Sequence, residues 1–368
     1  MLSVVFYFTV FAIVFLIQAF AIKQKNPTIK RILAILSFLP ILLLMGLRHE
    51  VGTDWIGHVD IYKGYENMSF SEIWARNDDI GSKLIIGLSP YIFNDYKAIF
   101  WIYGLLTLYP IYRINKNYGF KYLAYSTLVF NLIMLPESLN IMRQCAAAAF
   151  ALLAFDCFKQ ENRKLPLTFF YFIIALALHT SALLMAPFFV LYYFTNNKKR
   201  GFCWTSILLS TFIAFSLTTI LKSIFIEIGY AEYDHLLVTD KEIGMSISAI
   251  LFNLIQYIIL FLLYILYKNN HKNKPSTTND IKDSLSMVFN GTIFELAGTA
   301  TKYLSRISYY FSIYQITLIP IMLQNITNKQ SRIIAKVFCI SSLATLFIIR
   351  YYFLGYCEII PYQTWLFT

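Results

Sequence analysis

The sequence predicts an all-α integral membrane protein, a polytopic helical bundle of about twelve transmembrane helices forming one domain over residues 1–368. Three observations predict it. Hydrophobic residues make up 58% of the chain and charged residues only 14%, whereas a soluble domain carries about a quarter charged residues. The apolar residues come in blocks of roughly 15 to 22 separated by short polar segments, the size that a bilayer-crossing helix requires. The basic residues gather in those short segments, the pattern of cytoplasmic loops.

Taken in order, a first helix over about 3–22 ends in Lys23, Lys25, Lys30 and Arg31, which places this loop inside and the N-terminus outside. The block lacks a basic leader and a small-residue cleavage site, so it reads as a membrane helix rather than a signal peptide. A second helix, about 32–47, leads out to Arg48. A long external loop over 48–97 follows, rich in acids and aromatics. Within it, Leu84 to Phe93 is apolar, too short to span and interrupted by Pro90, the pattern of a re-entrant or interfacial helix.

Spans three (98–113) and four (122–135) lead to Pro136-Glu137-Ser138, a turn-and-cap pattern expected to start span five (139–158). Spans six (165–178) and seven (181–195) form a hairpin with His179 at its external tip. Span eight (202–222) reaches a second acidic external loop, 223–245, and span nine (246–267) returns to a polar linker whose Pro275-Ser-Thr-Thr-Asn279 stretch reads as flexible. Spans ten (284–302), eleven (307–324) and twelve (337–354) complete the bundle, with an external tail from Gly355. In this arrangement the inside loops hold 20 of the 31 Lys and Arg residues, and 15 of the 20 acids fall outside. The skew agrees with the positive-inside rule and puts both termini outside.

The formal charge of +11 sits in loops and forms no binding stripe, which argues against nucleic acid. Five cysteines without C-x-x-C pairing read as packing residues, with no metal site and no disulfide framework. The chain has no phosphate-binding loop, no H-E-x-x-H and no G-x-S-x-G, so nothing calls for ATP, a metal or another cofactor. The two halves show no internal repeat, which disfavours a transporter built from repeats.

Four residues run against the membrane pattern: Arg48 after span two, Arg143 opening span five, His179, and Arg306 opening span eleven. On the external side, cationic anchoring is least expected. Each arginine serves either as a snorkelling or structural residue or as a ligand for an anion, since guanidinium matches phosphate oxygens and keeps its charge. Asn140-Ile-Met-Arg143-Gln144 leads into Cys145-Ala-Ala-Ala-Ala149, an alanine run best explained by close helix packing. Asp54, in Arg48-His-Glu-Val-Gly52-Thr53-Asp54, either pairs with Arg48 or acts as a base or a ligand for a sugar or cation. His179 is a second candidate base or a polar hairpin tip. Glu295 is expected to pair with Lys302 or Arg306.

At these residues the chain resembles the EpsG-like, Wzy-type family of bacterial polysaccharide (O-antigen) polymerases. The resemblance rests on Arg48 with Gly52-Thr53-Asp54, Asn140-x-x-Arg143-Gln144, His179-x-Ser181, Arg306 with Tyr309-Tyr310 and Pro320, and Pro361-Tyr362. His58 departs from it, standing where an aromatic residue is expected. The resemblance implies a glycosyltransferase in the cytoplasmic (inner) membrane with its active face external. It would polymerise oligosaccharide repeat units carried on undecaprenyl diphosphate, alongside a flippase and a chain-length regulator. It implies Arg143, Arg306 and Arg48 on the diphosphate, and His179 or Asp54 as the base. Asn140, Gln144, Tyr309 and Tyr310 would contact substrate. A lipid-linked oligosaccharide flippase, a glycan ligase and a membrane acyltransferase are the rival readings.

Overall fold

A computed structural model describes residues 1–160, 164–195, 201–227, 240–270, 275–298 and 302–366. The described residues are mostly helical, and Arg48 forms an isolated β-bridge with Thr364. They form two compact units, 1–183 with 343–368, and 184–342.

In the first unit, α1 (Leu2–Lys23) has 22 residues, about 33 Å at 1.5 Å per residue. Its buried residues Tyr7, Val10, Phe11, Val14, Gln18 and Ala21 recur at three- and four-residue intervals, so one stripe faces the bundle. The chain turns at Asn26, whose side chain accepts from the Thr28 and Ile29 amides at 2.8 and 3.2 Å and so caps α2 (Pro27–Leu36). The expected second span falls within the apolar run Pro27–Gly46 and is interrupted once, where α3 (Leu39–Gly46) restarts after Ser37 with Pro40 in its first turn. Proline lacks the N–H that would continue the α2 ladder.

The loop over 48–97, expected to be external, is helical in short pieces. They are α4 (Trp55–Tyr65), α5 (Phe70–Ala75), and a broken apolar helix over Ile80–Ile92 that contains a π-turn at Lys83–Gly87. This last piece matches the expected short non-spanning segment. Next come α6 (Lys97–Asn117), α7 (Leu123–Ile133), α8 (Met142–Lys159) and α9 (Leu165–Leu178). Helix α8 packs between α6 and α9, and Ala146 to Ala149 are all fully buried. The alanine run is therefore a packing surface, since small side chains let helices approach closely.

Two local expectations are corrected. Pro136-Glu137-Ser138 does not cap α8: Leu135–Ser138 is a separate helical turn, and the Ser138 hydroxyl donates back to Leu135 O at 2.7 Å. Pro275 to Asn279 is not a flexible linker. It is the first turn of the helix Pro275–Ala297, where a missing proline N–H costs nothing because that donor has no helical partner.

The second unit contains α10 (Ala186–Thr195), α11 (Gly201–Glu227), α12 (Asp240–Asn270), α13 (Pro275–Ala297), α14 (Lys302–Ile307) and α15 (Gln315–Asn325). Its core includes Phe311, stacked on Phe294 at 5.1 Å and meeting Phe188 edge-on at 4.9 Å. Gln256 donates to Gln315 at 2.6 Å, which satisfies two buried amides against each other. The expected external loop 223–245 is helical to Glu227 and from Asp240, and 228–239 lie outside the described residues. Helix α16 (Lys329–Phe347) carries the chain back to the first unit.

Four described runs are long and apolar enough to cross a membrane: Leu2–Lys23, Pro27–Gly46, Leu251–Asn270 and Lys329–Phe353. Other expected spans appear as shorter apolar helices, such as Leu123–Ile133 and Leu165–Leu178. Expected span eleven is divided into α14, the turn Tyr309–Ser312 and α15.

Candidate functional site

The site is built around the N-terminus of α8. Ile141 occupies the cap position without a side-chain hydrogen bond, so the first amides of this helix, including that of Arg143, keep their positive end unscreened by a capping side chain. Arg143 adds a guanidinium at the same place. Its Nη1 donates to Ser82 Oγ at 2.8 Å and lies 3.8 Å from Asp79 Oδ2. The Arg143 side chain keeps a quarter of its surface exposed.

Asp79 links this arginine to the histidine turn. Its Oδ1 accepts the Thr180 amide at 3.0 Å, one residue beyond His179. The close approach depends on Gly81, because a Cβ there would lie 2.6 Å from Ala177 O and 2.9 Å from Leu178 Cα. The stretch Asp79-Ile-Gly81-Ser82 thus packs backbone against backbone on the end of α9. His179 leaves the helix in an extended conformation. Its Nδ1 accepts the Ser181 amide at 3.2 Å and stands 2.8 Å from Ser181 Oγ. An Nδ1 that accepts a backbone N–H carries no proton, so the neutral ring holds its proton on Nε2.

Arg48 occupies a different environment. It is buried, its Nη1 donates to Leu139 O, its Nη2 reaches Met142 Sδ at 3.6 Å, and the guanidinium lies 4.6 Å from the Phe100 ring centroid. Burial pulls its pKa down to about 10. The side chain holds the turn that leads into α8 and is committed there. Asn140 and Gln144 are also buried. Asn140 accepts from Thr53 Oγ1 at 3.0 Å and donates to Pro136 O at 3.2 Å. Gly52 makes this junction with φ +103°, where a Cβ would come within 2.8 Å of both Asn140 Oδ1 and Leu139 O. Asp54 follows at the cap of α4, with Thr53 Oγ1 3.5 Å from its Oδ1.

His58 contributes from α4. Its Nε2 donates to Asn140 O at 2.8 Å. Burial outweighs that hydrogen bond, and the Arg48 and Arg143 charges add to burial, so the imidazole titrates at about 4 and is neutral at physiological pH. The departure at this position thus replaces an expected ring with one that also ties down the α8 turn.

The C-terminal tail forms the floor of the Arg48 loop. His49 N donates to Gln363 O at 3.0 Å, Gly52 N to Glu358 O at 3.2 Å, Thr53 N to Cys357 O at 3.2 Å, and Trp365 N to Leu47 O at 3.3 Å. Tyr362 Oη donates to Leu44 O at 3.0 Å. Behind the site, Glu137 pairs with Arg350 at 3.1 Å, both largely buried.

Arg306, Tyr309 and Tyr310 lie in the second unit. Arg306 is exposed there and Tyr310 is fully buried. Glu295 accepts from Ser308 Oγ at 2.7 Å. Asp79, Ser82, His58, Glu137 and Arg350 were not singled out as site residues from sequence. The run of an acid, a glycine and a serine within four residues was the available signal, but its meaning depends on what it packs against. No group of three or more His, Cys, Asp or Glu side chains arranged to hold a metal occurs among the described residues.

The model of one protein family, described as the EpsG family, matches residues 31–364. The match takes in most of both units, from before Arg48 to Thr364. No curated protein and no solved structure matches the chain.

Proposed function

The chain belongs to the EpsG family, a Wzy-like polymerase family, and from that premise we propose that it polymerises oligosaccharide repeat units carried on undecaprenyl diphosphate. As an EpsG-family membrane protein it is of the exopolysaccharide or O-antigen polymerase type. The finer reading places the reaction on the external face of the bacterial cytoplasmic membrane, within a bundle of about twelve spans. Its supports are the excess of basic residues in the inside loops and the acids outside.

The reaction moves the growing chain from its lipid diphosphate to a hydroxyl of the next lipid-linked unit. The bond between the anomeric carbon and the diphosphate oxygen breaks, and its electron pair leaves with the diphosphate. The acceptor oxygen forms the new glycosidic bond and gives up its proton. Because the leaving group is already a diphosphate, the transfer needs no nucleotide.

The observation that carries the reading is the Arg143 guanidinium at the uncapped N-terminus of α8, partly exposed and 3.8 Å from its carboxylate neighbour. A helix N-terminus and an arginine together attract phosphate oxygens, and charge developing on the leaving group strengthens that attraction. Arg48 acts through the turn it holds, as a positioning residue. Arg306 is assigned to anionic substrate as well. For proton transfer His179 and Asp54 remain the candidates. Tyr309 is proposed to contact the glycan.

Surface polysaccharide separated by chain length tests the reading. Arg143→Ala is expected to leave single repeat units on the cell surface with the long-chain ladder missing. Repeats accumulating on lipid inside the cell would favour a flippase, and a normal ladder would remove Arg143 from the mechanism.

A further inference from the structure

The Asp79 carboxylate is an unexpected neighbour for an arginine that binds diphosphate. It stands 3.8 Å from Arg143 Nη1, so an anion held by that guanidinium comes within a few ångströms of a second negative charge. The carboxylate is not free to swing away. Its Oδ1 is held by the Thr180 amide at 3.0 Å, and the backbone two residues on is pressed against Ala177 and Leu178, with no room for a Cβ at Gly81. Only 12% of the side chain is exposed, so water screens it poorly. Arg143 is kept in place by Ser82 at 2.8 Å and does not depend on Asp79 for its direct hydrogen bond.

A fixed anion beside the phosphate site distinguishes ligands by charge. In the donor, both ends of the diphosphate are esterified, one to sugar and one to lipid. When the glycosidic bond to the diphosphate breaks, the departing lipid diphosphate keeps the electron pair on the former bridging oxygen. It then has one more ionisable oxygen than the donor had. Repulsion from Asp79 therefore rises as the reaction proceeds from bound donor to bound product.

Building on the polymerase reading above, we propose that Asp79 is a specificity-determining counter-charge that weakens binding of the product lipid diphosphate relative to the donor. It thereby clears Arg143 for the next cycle. One additional charge a few ångströms away, at the effective dielectric of a protein margin and in physiological salt, corresponds to roughly tenfold in affinity.

The test uses full-length protein in lipid nanodiscs, with farnesyl diphosphate as product probe and its hexosyl diester as donor probe. Asp79→Asn keeps an acceptor for the Thr180 amide and removes the charge. It is expected to tighten farnesyl diphosphate about tenfold and the diester clearly less. Asp79→Glu, which keeps the charge, is expected to preserve the wild-type ranking. With lipid-linked repeat units isolated from cells as substrate, Asp79→Asn is expected to slow in later turnovers relative to its own first turnover, and the wild type to slow less. Equal tightening of both probes, or weaker binding of farnesyl diphosphate, would overturn the proposal. So would Arg143→Ala binding both probes as the wild type does. If the wild type binds both probes in the expected order but extends no chains, the polymerase reading falls while the role of Asp79 as a charge discriminator stands.

Discussion

Arg350 Nη2 lies 3.1 Å from Glu137 Oε1, joining positions 213 residues apart in a pair whose carboxylate side is only 5% exposed. The pair pins the end of the last long helix to the turn that leads into α8. The Arg350 guanidinium also lies 4.1 Å from the Tyr356 ring centroid, and Cys357 Sγ is 3.4 Å from Glu137 Oε2. One buried ion pair therefore ties the C-terminal tail to the approach of Arg143. Removing one partner of such a pair leaves a buried charge and typically costs about 3–5 kcal/mol, whereas removing both costs less. Glu137→Ala and Arg350→Ala are each expected to lower the unfolding midpoint in detergent markedly. The double variant should fall well short of the summed loss, and additive losses would show that the two groups are not coupled.

Gly52 and Gly81 each make a contact that no other residue permits. Alanine at 52 combines a left-handed backbone with a clash on Asn140 and Leu139, and alanine at 81 clashes with the α9 backbone. Strain of this kind is worth of order 1–3 kcal/mol. Both variants are expected to insert into the membrane at wild-type levels and lose most long-chain product. A full ladder from Gly81→Ala would show that the docking of 79–82 on α9 is dispensable.

The tail should be indispensable for a similar reason. Four backbone amides of the 47–53 loop and the tail are paired with each other, and Lys97 Nζ lies 4.4 Å from the Trp365 ring centroid. A chain ending at Gly355 is expected to lose polymer formation. Tyr362→Phe keeps the stacking on Phe6 at 4.9 Å and loses only the bond to Leu44, a deficit of about 1 kcal/mol. Thermal midpoints of the two variants give the comparison, and a small loss from truncation would contradict the role assigned to the tail.

His58 predicts an acid sensitivity. An unfolded histidine titrates near 6.5, and the buried native one at about 4. Between these values the unfolded chain takes up a proton that the native protein excludes. Stability is therefore retained above about pH 6.5 and lost as pH falls toward about 4, by up to roughly 3 kcal/mol. In His58→Gln that part of the slope should disappear, as measured by melting each protein across this range. Identical slopes in the two proteins would assign the acid sensitivity to other groups.

The sequence by itself determined the helical class, the membrane character and the family, because all three rest on periodicity, composition and short runs that are local along the chain. It also singled out Arg48, Arg143, His179 and Arg306, since a polar or charged residue against an apolar background is visible without knowing its neighbours. Only the tertiary structure decided what those residues touch. Arg48 and Arg143 look alike in sequence, yet one is buried against a carbonyl and an aromatic ring while the other opens toward solvent between Ser82 and Asp79. Asp79 was one acid among eight in its loop until the fold set it against Arg143, 64 residues on, and against Thr180, 101 residues on. The physical reason is range: helix formation and burial are set within a few turns of chain. Ion pairs and hydrogen bonds between distant segments exist only once packing has brought those segments together and excluded the water that would otherwise screen them.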